Sequence, residues 1–439
     1  MKRLLVVLPV VLSLLIAPAF AAEQKAASPT IEQALAQAKQ QNKPLVIDFQ
    51  AVWCYSCYFM ATHVLNGPEF KALDSKVVFV EADADTPDGQ AWMKKLNVHF
   101  LPTYVALEGN GDELGRMLAE RPRNLFYPEI NRILGGGARL DKLKGDATRG
   151  SLAAVAAVLD TYQSRYEGDE GMAWFATLPS TVRNVSDQDK RVALAKQRLV
   201  LLQAKAAKND AAIVEVAPKI LAGKIGCDRA YVVDDLLGAT AKLPEAQRRE
   251  LIAPQQAPMK TFLEGPVLGA SPTCADVRSA VITMADTDAA LGDEAGSKAV
   301  LDNAIAFTQK RLGDDLTSDR NLADNLLVYL GHAKRIDELS ALQLRLIKAY
   351  PNDYVYAYRH GRTLLENGKP AEALPFLEQA SAKTFGVNRF TVASFQVKAL
   401  QALNRPADAD RIVSAVVATD GKQFPEQADK LKATLKSQA

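Results

Sequence analysis

Gly135-Gly136-Gly137 divides this chain of 439 residues into two parts with different hydrophobic periods. Before it, short apolar runs of strand length alternate with stretches of helical spacing. Leu45–Phe49, Val77–Val80 and Thr103–Leu107 read as buried strands, with a weaker strand over Glu113–Met117 after the Glu108–Asp112 turn. Helices are expected over Ile31–Ala38, from Cys54 to Leu65, over Gln90–Leu96 and over Arg123–Leu134. Strands alternating with helices, plus one tight hairpin, specify a small α/β domain. After the glycines the strand signals nearly vanish and Ala, Leu, Lys and Gln dominate, which specifies an all-α region from about residue 143 onward.

The all-α region carries internal similarity near its end. Arg335–Leu339, Lys369–Ala373 and Arg405–Ala409 are related stretches spaced by 34 and 36 residues. Gly361, Leu364, Ala373, Leu377 and Ala380 fall at offsets similar to the tetratricopeptide (TPR) pattern, whose period is about 34. Small residues at those offsets let paired helices cross closely. Between 143 and 315, Leu152–Tyr162, Lys190–Ala207 and Ala299–Arg311 read as helices of unassigned register.

The N-terminus addresses the compartment. Lys2-Arg3, an apolar stretch from Leu4 to Ile16 and the small-x-small Ala19-Phe20-Ala21 have the layout of a secretory signal peptide. The alternative is an uncleaved anchor, which Pro9 and Pro18 disfavour because a span needs about 20 uninterrupted apolar residues. No later run is apolar enough to span a bilayer, so a mature chain soluble in an oxidising space, with no stable membrane insertion, is expected. Lys and Arg number 53 against 51 for Asp and Glu. That balance implies no general attraction to nucleic acid or anionic lipid.

Trp53-Cys54-Tyr55-Ser56-Cys57 is the motif that carries chemistry. A Cys-x-x-Cys at the start of a helix puts the first sulfur over free backbone N–H groups, where the thiolate is favoured and the pKa falls. Two thiols at this spacing can close and reopen a disulfide ring. A lone pair of this kind is ambiguous between zinc and redox chemistry. The strand before it, the helix after it and the lack of a second cysteine pair at zinc spacing point to redox, with no metal. Cys227 and Cys274 are the remaining cysteines. In an oxidising space they are expected to form a structural disulfide, the alternative being two free buried thiols.

Residues 31–134 resemble the thioredoxin superfamily through Asp48–Cys57, Leu101-Pro102-Thr103 and the order of elements between them. Pro68–Leu73 and Lys95–Thr103 are similar to the periplasmic C-terminal domain of DsbD-type thiol:disulfide interchange reductases. The resemblance, set beside the N-terminal layout, the glycine run and the repeats, implies a multidomain chain: signal peptide 1–21, tether 22–30, thioredoxin-like domain 31–134, Gly-rich linker 135–142, helical domain 143–315 and TPR-like repeats 316–435. It implies Cys54 as attacking thiolate, Cys57 as resolving thiol, Asp48 as the buried acid that takes the resolving thiol's proton, and Pro102 as a cis-proline facing the cysteines. Trp53, Tyr55, Ser56, Leu101 and Thr103 are then the substrate-docking surface. Glu81, where thioredoxin places a lysine, is read as a carboxyl coupled to Asp48, the alternative being a solvated strand-end Glu. Tyr58 and Ala61 depart from the family's pattern, and Tyr55-Ser56 matches neither Gly-Pro nor Pro-His. His63 and His99 are read as surface or packing residues.

The function implied is a periplasmic thiol–disulfide oxidoreductase, reducing or isomerising disulfides of partner proteins, with the helical repeats docking partners. It needs no cofactor beyond the Cys54–Cys57 couple. The membrane-embedded part that supplies DsbD-type domains with electrons is missing, so a separate membrane or soluble thiol donor is expected. The alternative is a non-catalytic adaptor that carries a thioredoxin-like module.

Overall fold

A computed structural model describes residues 29–435; the expected signal peptide and most of the tether lie outside the described residues. The N-terminal part runs α1 (Ile31–Gln41), β1 (Leu45–Gln50), α2 (Tyr55–His63), α3 (Gly67–Asp74), β2 (Val78–Asp83), α4 (Pro87–Lys95), β3 (Thr103–Leu107), β4 (Glu113–Leu118) and α5 (Arg123–Leu134). The sheet order is β2-β1-β3-β4, with β1 parallel to β2 and antiparallel to β3, and β3 antiparallel to β4. Period-two alternation sends Leu45, Ile47 and Phe49 into one core with Ile31, Ala34 and Trp92. Val46, and with it Asp48, faces the other side, where Met60, Tyr104, Phe126 and Ile130 pack. Asp48 therefore points toward the layer that contains α2 and α5.

Helix starts follow the chemistry of their first residues. Thr30 and Gln33 form a reciprocal capping box at α1. Thr86 caps α4 through the Gly89 N–H, with Pro87 at its first position. Past the helix expected to end at Leu65, Asn66-Gly67-Pro68 breaks the chain only briefly and opens α3, because a proline lacking an N–H fits the first turn of a helix as well as a bend. Among the described residues no helix is long and apolar enough to cross a membrane.

From Leu140 onward the described chain is helical. The first of these helices begins inside the expected linker, and Ala138 packs against the core beneath α5. The three related stretches each open a helix: Ile336–Ala349, Pro370–Ser381 and Pro406–Asp420. Gly361 faces Leu377 so closely that an added Cβ would lie 2.8 Å from its Cγ, which gives the small residue of the repeat its physical reason. One apolar core runs from Leu201 to Tyr356, across the expected division at residue 315.

Candidate functional site

The site is built where β1 ends. Cys54 has extended backbone geometry and caps α2, its Sγ accepting the Cys57 N–H at 3.1 Å. Cys54 and Cys57 are joined by a disulfide, with Cα atoms 5.2 Å apart. Leu101 packs against the cluster formed by Ala51, Cys54, Cys57 and Ala84, and the Leu101–Pro102 bond is cis. The Pro102 carbonyl accepts the Ala119 N–H at 2.9 Å, which brings the end of β4 to the same edge.

Three carboxyl groups surround this ring, and burial acts on each. Asp48 is buried with one oxygen lacking any partner, and desolvation, with Glu81 beside it, holds its carboxyl well above the usual range. Glu81 is its register neighbour on β2 and is exposed. Asp85 accepts the Trp53 indole N–H at 3.0 Å and is pushed up to about 6 by burial. Glu120, just after β4, is a third carboxyl that the sequence does not signal. It is buried, bonded to Ser56, and pushed up to about 8 by burial and by Asp276. A lone glutamate after a strand carries no motif, so nothing in the sequence distinguishes it.

The helical region lies against this same face. Tyr55 donates its hydroxyl to Asp276 at 3.2 Å, and Tyr231 donates to the same oxygen at 2.7 Å. Asn321 donates to the Tyr55 carbonyl at 2.8 Å, and Arg359 donates to the Trp53 carbonyl at 3.2 Å. Arg278 stacks 3.4 Å above the Tyr55 ring centre. His63 meets Asp319 at 2.8 Å, so it ties α2 to the helical region. Val52 packs on Tyr354, Val355, Ala380 and Val392. His99 stays on the surface, stacked on Tyr166.

These contacts limit how much of the expected docking surface is open in this structure. Tyr55 and Ser56 are engaged by the chain's own groups, and Thr103 is fully buried with its hydroxyl donating to the Phe100 carbonyl at 2.7 Å. Of that set Trp53 stays open, 40% exposed, with Leu101 half-buried beside it. The cysteines retain 4% and 8% of their surface. Cys227 and Cys274 are also joined, linking the turn Gly226–Asp228 to the segment that leads to Asp276.

Residues 26–109 match a family model described as thioredoxin-like. The chain is 34% identical over 86 residues to the thiol:disulfide interchange protein DsbD of Cronobacter sakazakii, covering 19% of this chain and 15% of that protein. It is 38% identical over 72 residues to the protein of the same name from Neisseria meningitidis serogroup B, covering 16% and 12%. Among solved structures, a thioredoxin from Thermus thermophilus aligns at 32% identity over 25% of this chain and 88% of that one, with a TM-score of 0.23. The chain therefore spans less than a sixth of the length of these curated relatives. Its N-terminal part is a thioredoxin-like domain, and an all-helical region follows.

Proposed function

We propose that this chain, whose N-terminal part is a thioredoxin-like domain, is a thiol–disulfide oxidoreductase that reduces or isomerises disulfides of partner proteins in the periplasm, reached through its N-terminal signal peptide. The observation that carries the reading is a closed Cys54–Cys57 ring at the mouth of α2, with the Leu101–Pro102 turn against it. In the reduced form Cys54, facing the N–H groups of the helix start, is the thiolate. It attacks one sulfur of the partner's disulfide; the Cys54–partner bond forms and the partner's other sulfur leaves as a thiolate. Cys57 then loses its proton to Asp48 and attacks the Cys54 sulfur. The ring closes, the second partner thiolate leaves, and two electrons have passed to the partner. A separate dithiol donor, in the membrane or free, restores the thiols.

Asp48 suits its role because burial raises its carboxyl well above the usual range, so its carboxylate is a strong base for the Cys57 proton and becomes neutral on taking it. Glu81, beside it in register, adds its charge to burial in raising the Asp48 carboxyl. Trp53 and Leu101 are the docking positions that the chain's own helices leave to a partner. The adaptor reading draws support from the close engagement of the helical region with the cysteine face. A Cys57→Ala variant expressed in the native host separates the two: an oxidoreductase accumulates partners disulfide-bonded to Cys54, and an adaptor does not. Disulfide reduction that persists in the full chain after both Cys54 and Cys57 become Ser would remove the enzymatic reading.

A further inference from the structure

The helical region does more than lie beside the cysteines: it grips the backbone on both sides of Cys54. Arg359, on the helix Val355–Glu366, donates Nη2–H to the Trp53 carbonyl at 3.2 Å, so its guanidinium sits one peptide away from Cys54. Asn321, on the helix Arg320–His332, holds the Tyr55 carbonyl at 2.8 Å. Arg359 is itself held by a built support. Asp324, fully buried, pairs with Arg359 on one oxygen and with Arg278 at 2.6 Å on the other, and Arg278 also bonds Asn325 at 2.9 Å. A buried carboxylate between two guanidiniums fixes both forks, since parting from either would leave a buried charge unpaired.

We propose that Arg359 is a positioning residue for the Cys54–Cys57 couple: through the Trp53 carbonyl it fixes the turn that presents Cys54, and its charge, set against Asp324, favours the Cys54 thiolate. This rests on the reading that Cys54 is the attacking thiol. The other charges around that sulfur come from every element packed on it. Asp48, with Glu81 behind it, lies in the sheet, and Asp85 holds the Trp53 indole. Glu120, Asp276 and Arg278, the last stacked on the Tyr55 ring and paired with Asp324, face the Tyr55-Ser56 side. Arg320 covers Tyr58 and is paired with Asp353, while His63 is paired with Asp319 at the far end of α2. Asp48 and Glu120 are driven toward their neutral forms by burial. Arg359 is thus the cation hydrogen-bonded to the Cys54 turn itself.

The test uses the full chain, reduced, with iodoacetamide labelling of Cys54 followed across pH by peptide mass spectrometry. Arg359→Met should move the labelling midpoint upward and slow labelling at pH 6 about fivefold, the order expected for one unit charge removed several ångströms away in a half-buried site. The equilibrium with glutathione should shift toward the disulfide by the same factor, about 20 mV for a two-electron couple. Arg359→Lys should restore the wild-type midpoint. Asp324→Asn, which removes the opposing charge, should move the midpoint downward, and it decides the matter alone if the Met variant does not fold. A merely structural role would move both variants in the same direction. That result, or two midpoints equal to wild type, overturns the proposal. Because the readout is reaction with a small electrophile, failure to reduce protein disulfides would overturn the functional reading and leave this one standing.

Discussion

Gly386→Ala gives the sharpest test of whether the helical region closes on the thioredoxin-like domain as described. Gly386 lies between the helices Pro370–Ser381 and Asn388–Ala402, with φ +56°. A Cβ built there would lie 1.9 Å from the Asp85 carbonyl oxygen, where real contacts begin at 3.0 Å. The two segments would have to part by about an ångström. The same carbonyl accepts the Val387 N–H at 3.0 Å, a bond that this displacement breaks. Losing it costs about 1 kcal/mol, and placing alanine in the left-handed region about 1 kcal/mol more. At 1.4 kcal/mol per factor of ten, about 2 kcal/mol makes local opening roughly 30-fold more frequent. Amide hydrogen exchange, read by mass spectrometry over residues 84–86 and 385–390, measures that opening. Val387 should exchange about 30-fold faster, while amides in the separate core containing Leu377, Val397 and Leu431 keep their protection. Unchanged protection at Val387 would refute the contact, and with it the argument that this face is covered.

Other consequences follow from single contacts. Replacing Cys227 and Cys274 with Ser opens a loop of 47 residues, worth about 4 kcal/mol in the chain-entropy model, so the denaturant midpoint of the segment near 225–277 should fall; an equal midpoint in wild type and variant would mean that the bond constrains nothing. Glu120 binds a proton in the folded chain up to about pH 8 that the unfolded chain has already lost by its ordinary value of 4.5. Stability from its neutral form is therefore full below about pH 4.5 and is lost as pH rises toward 8. Glu120→Gln should flatten that decline in urea unfolding compared at pH 5 and pH 8, and an identical pH slope would count against it. Gly361→Ala pushes a methyl to 2.8 Å from Leu377 Cγ, and overpacking of this kind costs about 1–3 kcal/mol. A melting temperature equal to wild type would show that these helices do not cross closely there.

Much of the α/β part was legible because its signals are local. Thr103–Leu107 and Arg123–Leu134 fall where apolar period and flanking turns put them. Asp48 could be placed in β1 by the apolar run around it, while its burial followed from the resemblance, since the run alone leaves an exposed strand-end aspartate open. The repeat starts at Ile336, Pro370 and Pro406 were equally readable, because each repeat solves the same packing problem with the same small residues. α3 was missed because Asn-Gly-Pro states a break without saying whether the chain resumes as helix. The continuous core across residue 315 was missed because helical periodicity fixes which face is buried and leaves the partner helix open.

The cover over the cysteines was illegible for a different reason. Its residues are polar or aromatic side chains scattered along the chain: Tyr231, the pair Asp276 and Arg278 at one helix start, Asn321 and Arg359 are separated by long stretches of sequence. On a helix taken alone, an arginine or aspartate at such a position is indistinguishable from a solvated one. What makes these five a surface is that their helices turn one edge toward the loop Trp53–Ser56, a long-range fact that no local pattern encodes. The same composition bears on how the cover behaves. Apart from Val52 with its neighbours and the ring contacts Phe100–Tyr231 and His99–Tyr166, the contacts described for it are hydrogen bonds, ion pairs and cation–ring stacking. Groups of that kind are satisfied by water when two surfaces separate, so parting them costs far less than opening an apolar core of equal area. A cysteine pair covered in this manner is held in place by its neighbours without being sealed behind them, and Trp53 stays exposed at the open edge.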